Sequence, residues 1–163
     1  FCDDYLELVK ERAHGGEGQP QASAVTALRA ALSVFTRLLA PFLPYATEEV
    51  WSWFEAGSVH TAAWPEAAEA LALAGDDADP ELLALVGRAL IGIRGAKTAA
   101  KASQKTPVEL AIVLAPAADA DRLRLAADDL AGVGRITELR IEAAEVDAVS
   151  VGEIRLAPTE AAG

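Results

Sequence analysis

Apolar positions recur every three to four residues through roughly the first hundred residues of the chain and every second residue in parts of the remainder. The first spacing predicts helices and the second predicts strands. From Ala22 onward, Leu28, Leu32, Phe35, Leu38, Leu39 and Phe42 trace one helix face, with Arg29, Ser33 and Arg37 off that line. Ahead of it, residues 1–13 place Tyr5, Leu8 and Val9 on one side of a helix end, and the glycine-rich stretch 14–20 connects the two. Pro41 and Pro44 stop the long helix, because each lacks an N–H and restricts the residue before it. Thr47 is expected to cap the next helix, with Glu48 and Glu49 at its positive end, Val50, Trp51 and Phe54 on its buried face and Gly57 after it.

A loop through Ser58, His60, Trp64 and Pro65 leads to a short helical piece at 66–74 and an acidic turn. Asp79 and Pro80 then read as N-cap and first residue of another helix, whose apolar face is Leu82, Leu83, Val86, Leu90 and Ile93. After Thr106 the period changes to two at Val108, Leu110, Ile112 and Leu114. A helix over 119–131 and two strands over 136–141 and 149–156 follow, the last bulged at Gly152. The order strand, helix, strand, strand predicts a small α+β unit after a helical bundle, for a mainly α chain divided at 1–105 and 106–163.

The 163 residues are the size of an ordinary domain with an appendix, and their 52% hydrophobic content is inflated by 37 alanines. No unbroken apolar run reaches the roughly 18 residues of a membrane span, since Arg88 interrupts the candidate at 82–93. The single Cys2 can form no internal disulfide, and with His14 and His60 it offers too few ligands for zinc, which suits a cytoplasmic location. The chain has no methionine and opens Phe1-Cys2-Asp3-Asp4, which reads as a segment of a longer polypeptide.

Net charge is -11, from 14 basic and 25 acidic side chains, and taken alone it argues against a polyanionic partner. Charge is segregated, however: from Leu82 through Val108 stand Arg88, Arg94, Lys97, Lys101 and Lys105 with no acid. Steps of three and four put Arg94, Lys97 and Lys101 on one helix face, and Lys105 prolongs the line. Such a ridge matches what phosphate neutralisation needs. It equally matches a cationic helix C-terminus that complements the dipole.

Other candidate chemistry reads as structural. Asp3, Asp4, Glu7 and Glu11 form a solvated helix face, where separated carboxylate pKa values are not expected. Ser58 and His60 lack the elbow glycines of a nucleophile, so His60 is assigned a structural or capping role. The glycines at 15, 16 and 18 lack the Lys-Ser/Thr of a phosphate loop, and nothing basic flanks Cys2 to activate it.

Two stretches carry a family resemblance: Asp4-Tyr5-Leu6-Glu7-Leu8-Val9-Lys10, and Leu38-Leu39-Ala40-Pro41-Phe42-Leu43-Pro44-Tyr45-Ala46-Thr47-Glu48-Glu49-Val50-Trp51. With Ser58-Val59-His60 and Trp64-Pro65 they resemble the anticodon-binding region of the class I aminoacyl-tRNA synthetases, and among these the valyl-tRNA synthetases. The double-proline segment is shared with the isoleucyl, leucyl and methionyl relatives, and the flanking stretches select valine. The resemblance covers residues 1 to about 110. The family's His-Ile-Gly-His and Lys-Met-Ser-Lys-Ser motifs do not occur here; Lys101-Ala102-Ser103-Gln104-Lys105 mimics the second only loosely.

The resemblance implies a parent ligase that activates valine with ATP and esterifies it to tRNA(Val). This chain itself would hold no cofactor and perform no catalysis. It would be monomeric and would bind the anticodon arm, with Arg94, Lys97, Lys101 and Lys105 on phosphates and a salt slope of about -3 to -4 for four contacts. It also implies that Phe42, Trp51 and Phe54 pack the corner set by Pro41 and Pro44, and leaves Trp53 and Trp64 as candidates for stacking on bases. The alternatives are the anticodon domain of an isoleucyl- or leucyl-tRNA synthetase, or a helical protein-interaction module.

Overall fold

A computed structural model describes residues 5–15, 18–75 and 78–158. Cys2, Asp3, Asp4 and Gly16, which the sequence reading touched, lie outside the described residues. The elements in chain order are α1 (Glu7–His14), α2 (Gln19–Leu39), α3 (Pro44–Ser52), a 3₁₀ turn at Val59–Thr61, and α4 (Ala67–Leu71). There follow α5 (Leu82–Ala99), β1 (Val108–Ala115), α6 (Ala117–Arg124), α7 (Ala127–Gly134), β2 (Ile136–Ala143) and β3 (Ser150–Leu156). The chain is thus helical with a small α+β part.

Contacts divide it elsewhere than at residue 106. One unit comprises Gly15–Ala78, and the other joins the residues through His14 to those from Asp79 onward. The long helix α5, expected to close a bundle, belongs to the sheet unit because its buried row finds its partners there. Leu85, Val86, Ala89, Leu90 and Ile93 share one core with Leu8 of α1, Val108, Ala111, Val113 and Ala115 of β1, and Ala120, Leu123 and Leu130 of α6 and α7. Leu85 takes the buried place expected of Leu83, which is exposed.

The sheet has the order β2-β1-β3, with β1 parallel to β2 and antiparallel to β3. Its parallel pair is joined by α6 and α7, as such a crossover requires. The register slips between Ile112, opposite Glu153, and Val113, opposite Val151, so Gly152 forms the expected bulge. The helix expected over 119–131 is two helices, with Leu125 exposed at the break. Gly92 lets α5 lie close on β3: a Cβ there would stand 2.9 Å from Val151 Cγ2.

Arg122 of α6 ties down the turn ahead of α5. Its Nε and Nη2 donate to the two Asp79 oxygens at 2.6 and 2.8 Å, and its Nη1 donates to Asp119 at 3.2 Å. Asp79 Oδ1 also accepts the Glu81 N–H at 3.0 Å, while the helix itself begins two residues later than the Asp-Pro signal placed it. The Arg122 hydrogen bonds hold the Asp79 carboxyl below its ordinary 3.8, against partial burial that opposes them. Because the folded value is the lower one, the stability from this contact is complete above about pH 4 and is lost as pH falls through the folded value. Arg122→Gln is expected to remove that acid dependence and to return the Asp79 NMR titration midpoint toward 3.8. An Asp79 midpoint equal in wild type and variant would refute the contact.

In the Gly15–Ala78 unit, α2 ends at Leu39 and Pro44 occupies the first turn of α3, so the corner forms where the two prolines require it. That proline starts the helix earlier than expected: Thr47 lies inside α3, buried, with its Oγ1 donating to the Leu43 carbonyl at 2.9 Å. Trp51 packs edge-on against Phe54, with ring centroids 5.4 Å apart, beside Ala40 and Val59. Phe42, expected in that corner, is 78% exposed. Arg37 links α2 to α4 through paired bonds to Glu69 at 3.1 and 2.6 Å.

The apolar row of α2 is also more open than its spacing implied, with Leu32, Phe35 and Leu39 exposed. Pro20–Leu39 is moreover long and apolar enough, by length and mean hydropathy of 1.3, to cross a membrane, which corrects the expectation that no segment is. Alanines raise that average although Arg29 and Arg37 interrupt the run.

Candidate nucleic-acid interface

Helix α5 ends in a turn that sets the geometry of the basic segment. Lys101 N–H donates to the Thr98 carbonyl and Ala102 N–H to the Lys97 carbonyl, both at 2.9 Å, which is the Schellman pattern. That pattern places Lys101 in the left-handed region, at φ 54°, where glycine is usual. The next residues are tied back to the helix. Gln104 Nε2 donates to the Arg94 carbonyl and to Thr98 Oγ1, each at 3.1 Å, and Ser103 Oγ accepts the Lys105 N–H at 3.2 Å.

The four residues expected to form one ridge are not on one surface. Arg94 is half-buried, and Lys101 and Lys105 are exposed. Lys97 is 1% exposed. Its ammonium donates to the carbonyls of Gln104, Thr106 and Gly134 at 3.1, 2.8 and 2.8 Å, so the loop and the end of α7 are fastened to α5 through it. Burial and the Arg135 guanidinium push the Lys97 ammonium below the ordinary lysine range, while the three carbonyls hold its proton in place. Lys97 therefore supports the basic segment from beneath and offers nothing to an incoming phosphate.

Among the described residues, seven Lys and Arg side chains have a carboxylate partner: Lys10, Arg12, Arg37, Arg122, Arg124, Arg140 and Arg155. Among the described residues, no cation from Arg88 to Lys105 has one, and neither does Arg135. In a chain with 25 acids, the cations left without carboxylates, apart from the buried Lys97, are the ones available to a partner.

His60 has a structural role, as expected, in a turn capped by Ser58. Glu48 Oε2 accepts Ser58 Oγ–H at 2.9 Å and Val59 N–H at 3.0 Å; Ser58 Oγ accepts the His60 N–H, and the His60 ring reaches the Pro44 carbonyl at 3.2 Å. Trp53 and Trp64 are 70% and 60% exposed, and Trp53 Nε1 donates to Glu49 at 3.3 Å.

Residues 1–112 match the family described as the anticodon-binding domain of tRNA ligase. The chain belongs to that family. The domain match runs through α2, which gives that apolar helix a place within a folded domain, and ends within β1. Curated relatives point the same way. The valine--tRNA ligase of Leifsonia xyli is 58% identical over 160 residues, covering 98% of this chain and 18% of that protein. The valine--tRNA ligase of Thermobifida fusca is 48% identical over the same shares, and that of Tropheryma whipplei is 41% identical over 94% of this chain and 17% of its own length. The chain therefore spans 18% or less of these relatives.

Proposed function

We propose that this anticodon-binding domain holds the anticodon arm of tRNA(Val) for a valine--tRNA ligase, with Arg94, Lys101 and Lys105 on backbone phosphates. The parent enzyme would activate valine with ATP and esterify it to the tRNA in another part of the polypeptide, and this chain would contribute binding energy and orientation. The fold is that of a class I helical anticodon-binding region extended by the sheet. The observation that carries the interface is the segment 88–105, which has five cations and no acid in a chain of net charge -11. Surrounding carboxylates would repel nucleic acid docked elsewhere on the surface. Trp53 and Trp64 are the exposed rings on which unpaired bases could stack.

Three phosphate contacts predict a slope of log K against log salt of about -2 to -3. Arg94→Gln, Lys101→Gln or Lys105→Gln, made singly, is expected to weaken binding about tenfold at about 50 mM salt and to reduce the slope by nearly one. Titration with purified valine, isoleucine and leucine tRNAs tests the assignment. Binding without salt dependence would remove the phosphate role, and equal or tighter binding of isoleucine or leucine tRNA would remove the valine assignment.

A further inference from the structure

Two non-glycine residues among those described have positive φ: Lys101 at 54° and Arg135 at 53°. Both are cations just past the end of a helix, Lys101 two residues after α5 and Arg135 next after α7, at positions where glycine would relieve steric strain. Neither has a carboxylate partner among the described residues. Helix C-termini favour cations, but at the end of α7 Lys97 already meets that need by donating to the carbonyl of Gly134.

Arg135 opens on a polar cleft of about 310 Å³ within the sheet unit, whose charged lining is Glu7, Lys10, Arg94, Lys97, Lys105 and Arg135. Lys97 is its buried floor. Arg135 Nη1 donates to the Lys105 carbonyl at 3.2 Å, so the α7 cation is held beside the basic loop. Glu7, the one acid of the lining, stands 3.8 Å from Lys10 in an exposed pair. Arg94, Lys105 and Arg135 remain as unneutralised cations around a concave space, a geometry suited to wrapping a tetrahedral dianion or diester rather than a flat acidic protein surface.

We infer that this cleft seats a backbone phosphodiester of the bound RNA, with Arg135 as its main ligand and Arg94 and Lys105 beside it. The α+β extension would then form part of the RNA interface as well as covering α5. This rests on the proposed tRNA role and deepens it.

Arg135→Gly tests the inference because the backbone there suits glycine, so the fold is expected to survive with an unchanged or higher melting temperature. The 163-residue chain carrying Arg135→Gly is expected to bind tRNA about tenfold more weakly at about 50 mM salt, with the salt slope reduced by nearly one, and Arg135→Lys is expected to recover most of the loss. If Arg135→Gly binds tRNA as wild type does, with the same slope, the cleft is overturned; weakening by Lys101→Gln, outside the cleft, in the same titration would leave the tRNA role standing. Wild-type chain that binds no tRNA would overturn both. A melting temperature well below wild type, with affinity restored by neither Arg135→Lys nor lower temperature, would make Arg135 structural and also overturn the inference.

Discussion

Trp51→Ala is expected to cost the Gly15–Ala78 unit about 3–5 kcal/mol, enough to unfold it while the sheet unit retains its structure. That unit has little else to rely on. Its buried cluster is Ala40, Trp51 and Val59, with Phe54 and Ala62 packed at the side, whereas the sheet unit has a separate and much larger core. Trp51 is the only large side chain in the small cluster that is nearly excluded from water, and its contact with Phe54 is lost with the ring. Its indole N–H is buried with no acceptor among the described residues, which carries a desolvation cost of about 1–3 kcal/mol. Trp51→Phe therefore is expected to destabilise far less than Trp51→Ala, since it keeps a ring against Phe54 and removes the stranded donor. Residue-resolved hydrogen exchange checks this: amides of α2 and α3 should lose protection in Trp51→Ala while those of β1 keep theirs. Protection in α2 within about 1 kcal/mol of wild type would show that the cluster does not hold the unit together.

The double-proline corner was legible because it is set by neighbours within a few residues, and the bulge at Gly152 because a glycine interrupts a period-two run. Misreadings arose where two local signals competed or where the deciding contact was distant. Pro44 and Thr47 can both begin a helix, and the proline's fixed φ prevailed, leaving Thr47 to bond back to Leu43 from inside the helix. Spacing shows that α2 has an apolar face but not how far that face is covered, and Phe35, Leu39 and Phe42 are exposed. Likewise, the change of period at residue 106 is real, yet α5 packs on strands that lie later in the chain, a pairing that periodicity does not carry. The family resemblance drew on the local motifs and so survived these errors. Arg135 was missed because a single arginine after a helix has no pattern; only its left-handed backbone and its place beside Lys105 distinguish it.

Lys97 is the instructive case, and Lys97→Met is expected to cost about 3 kcal/mol or more. The three-to-four spacing that aligned Lys97 with Arg94 and Lys101 also continues the buried row Val86, Leu90, Ile93, and burial along that row was the available signal. Methionine matches the volume but leaves three carbonyls without their donor, one of them fully buried. Lys97→Arg is expected to rescue poorly, because a planar fork cannot replace three bonds converging on one nitrogen. The pH dependence has a definite sign. The folded ammonium lies below the ordinary 10.5, so between the two values the unfolded chain binds more protons and the lysine's contribution to stability grows as pH rises toward 10.5. The stability gap between wild type and Lys97→Met should therefore widen over that range in urea unfolding. A phosphate-binding Lys97 would behave in the opposite way: Lys97→Met would leave unfolding within about 0.5 kcal/mol of wild type and reduce the tRNA salt slope by nearly one.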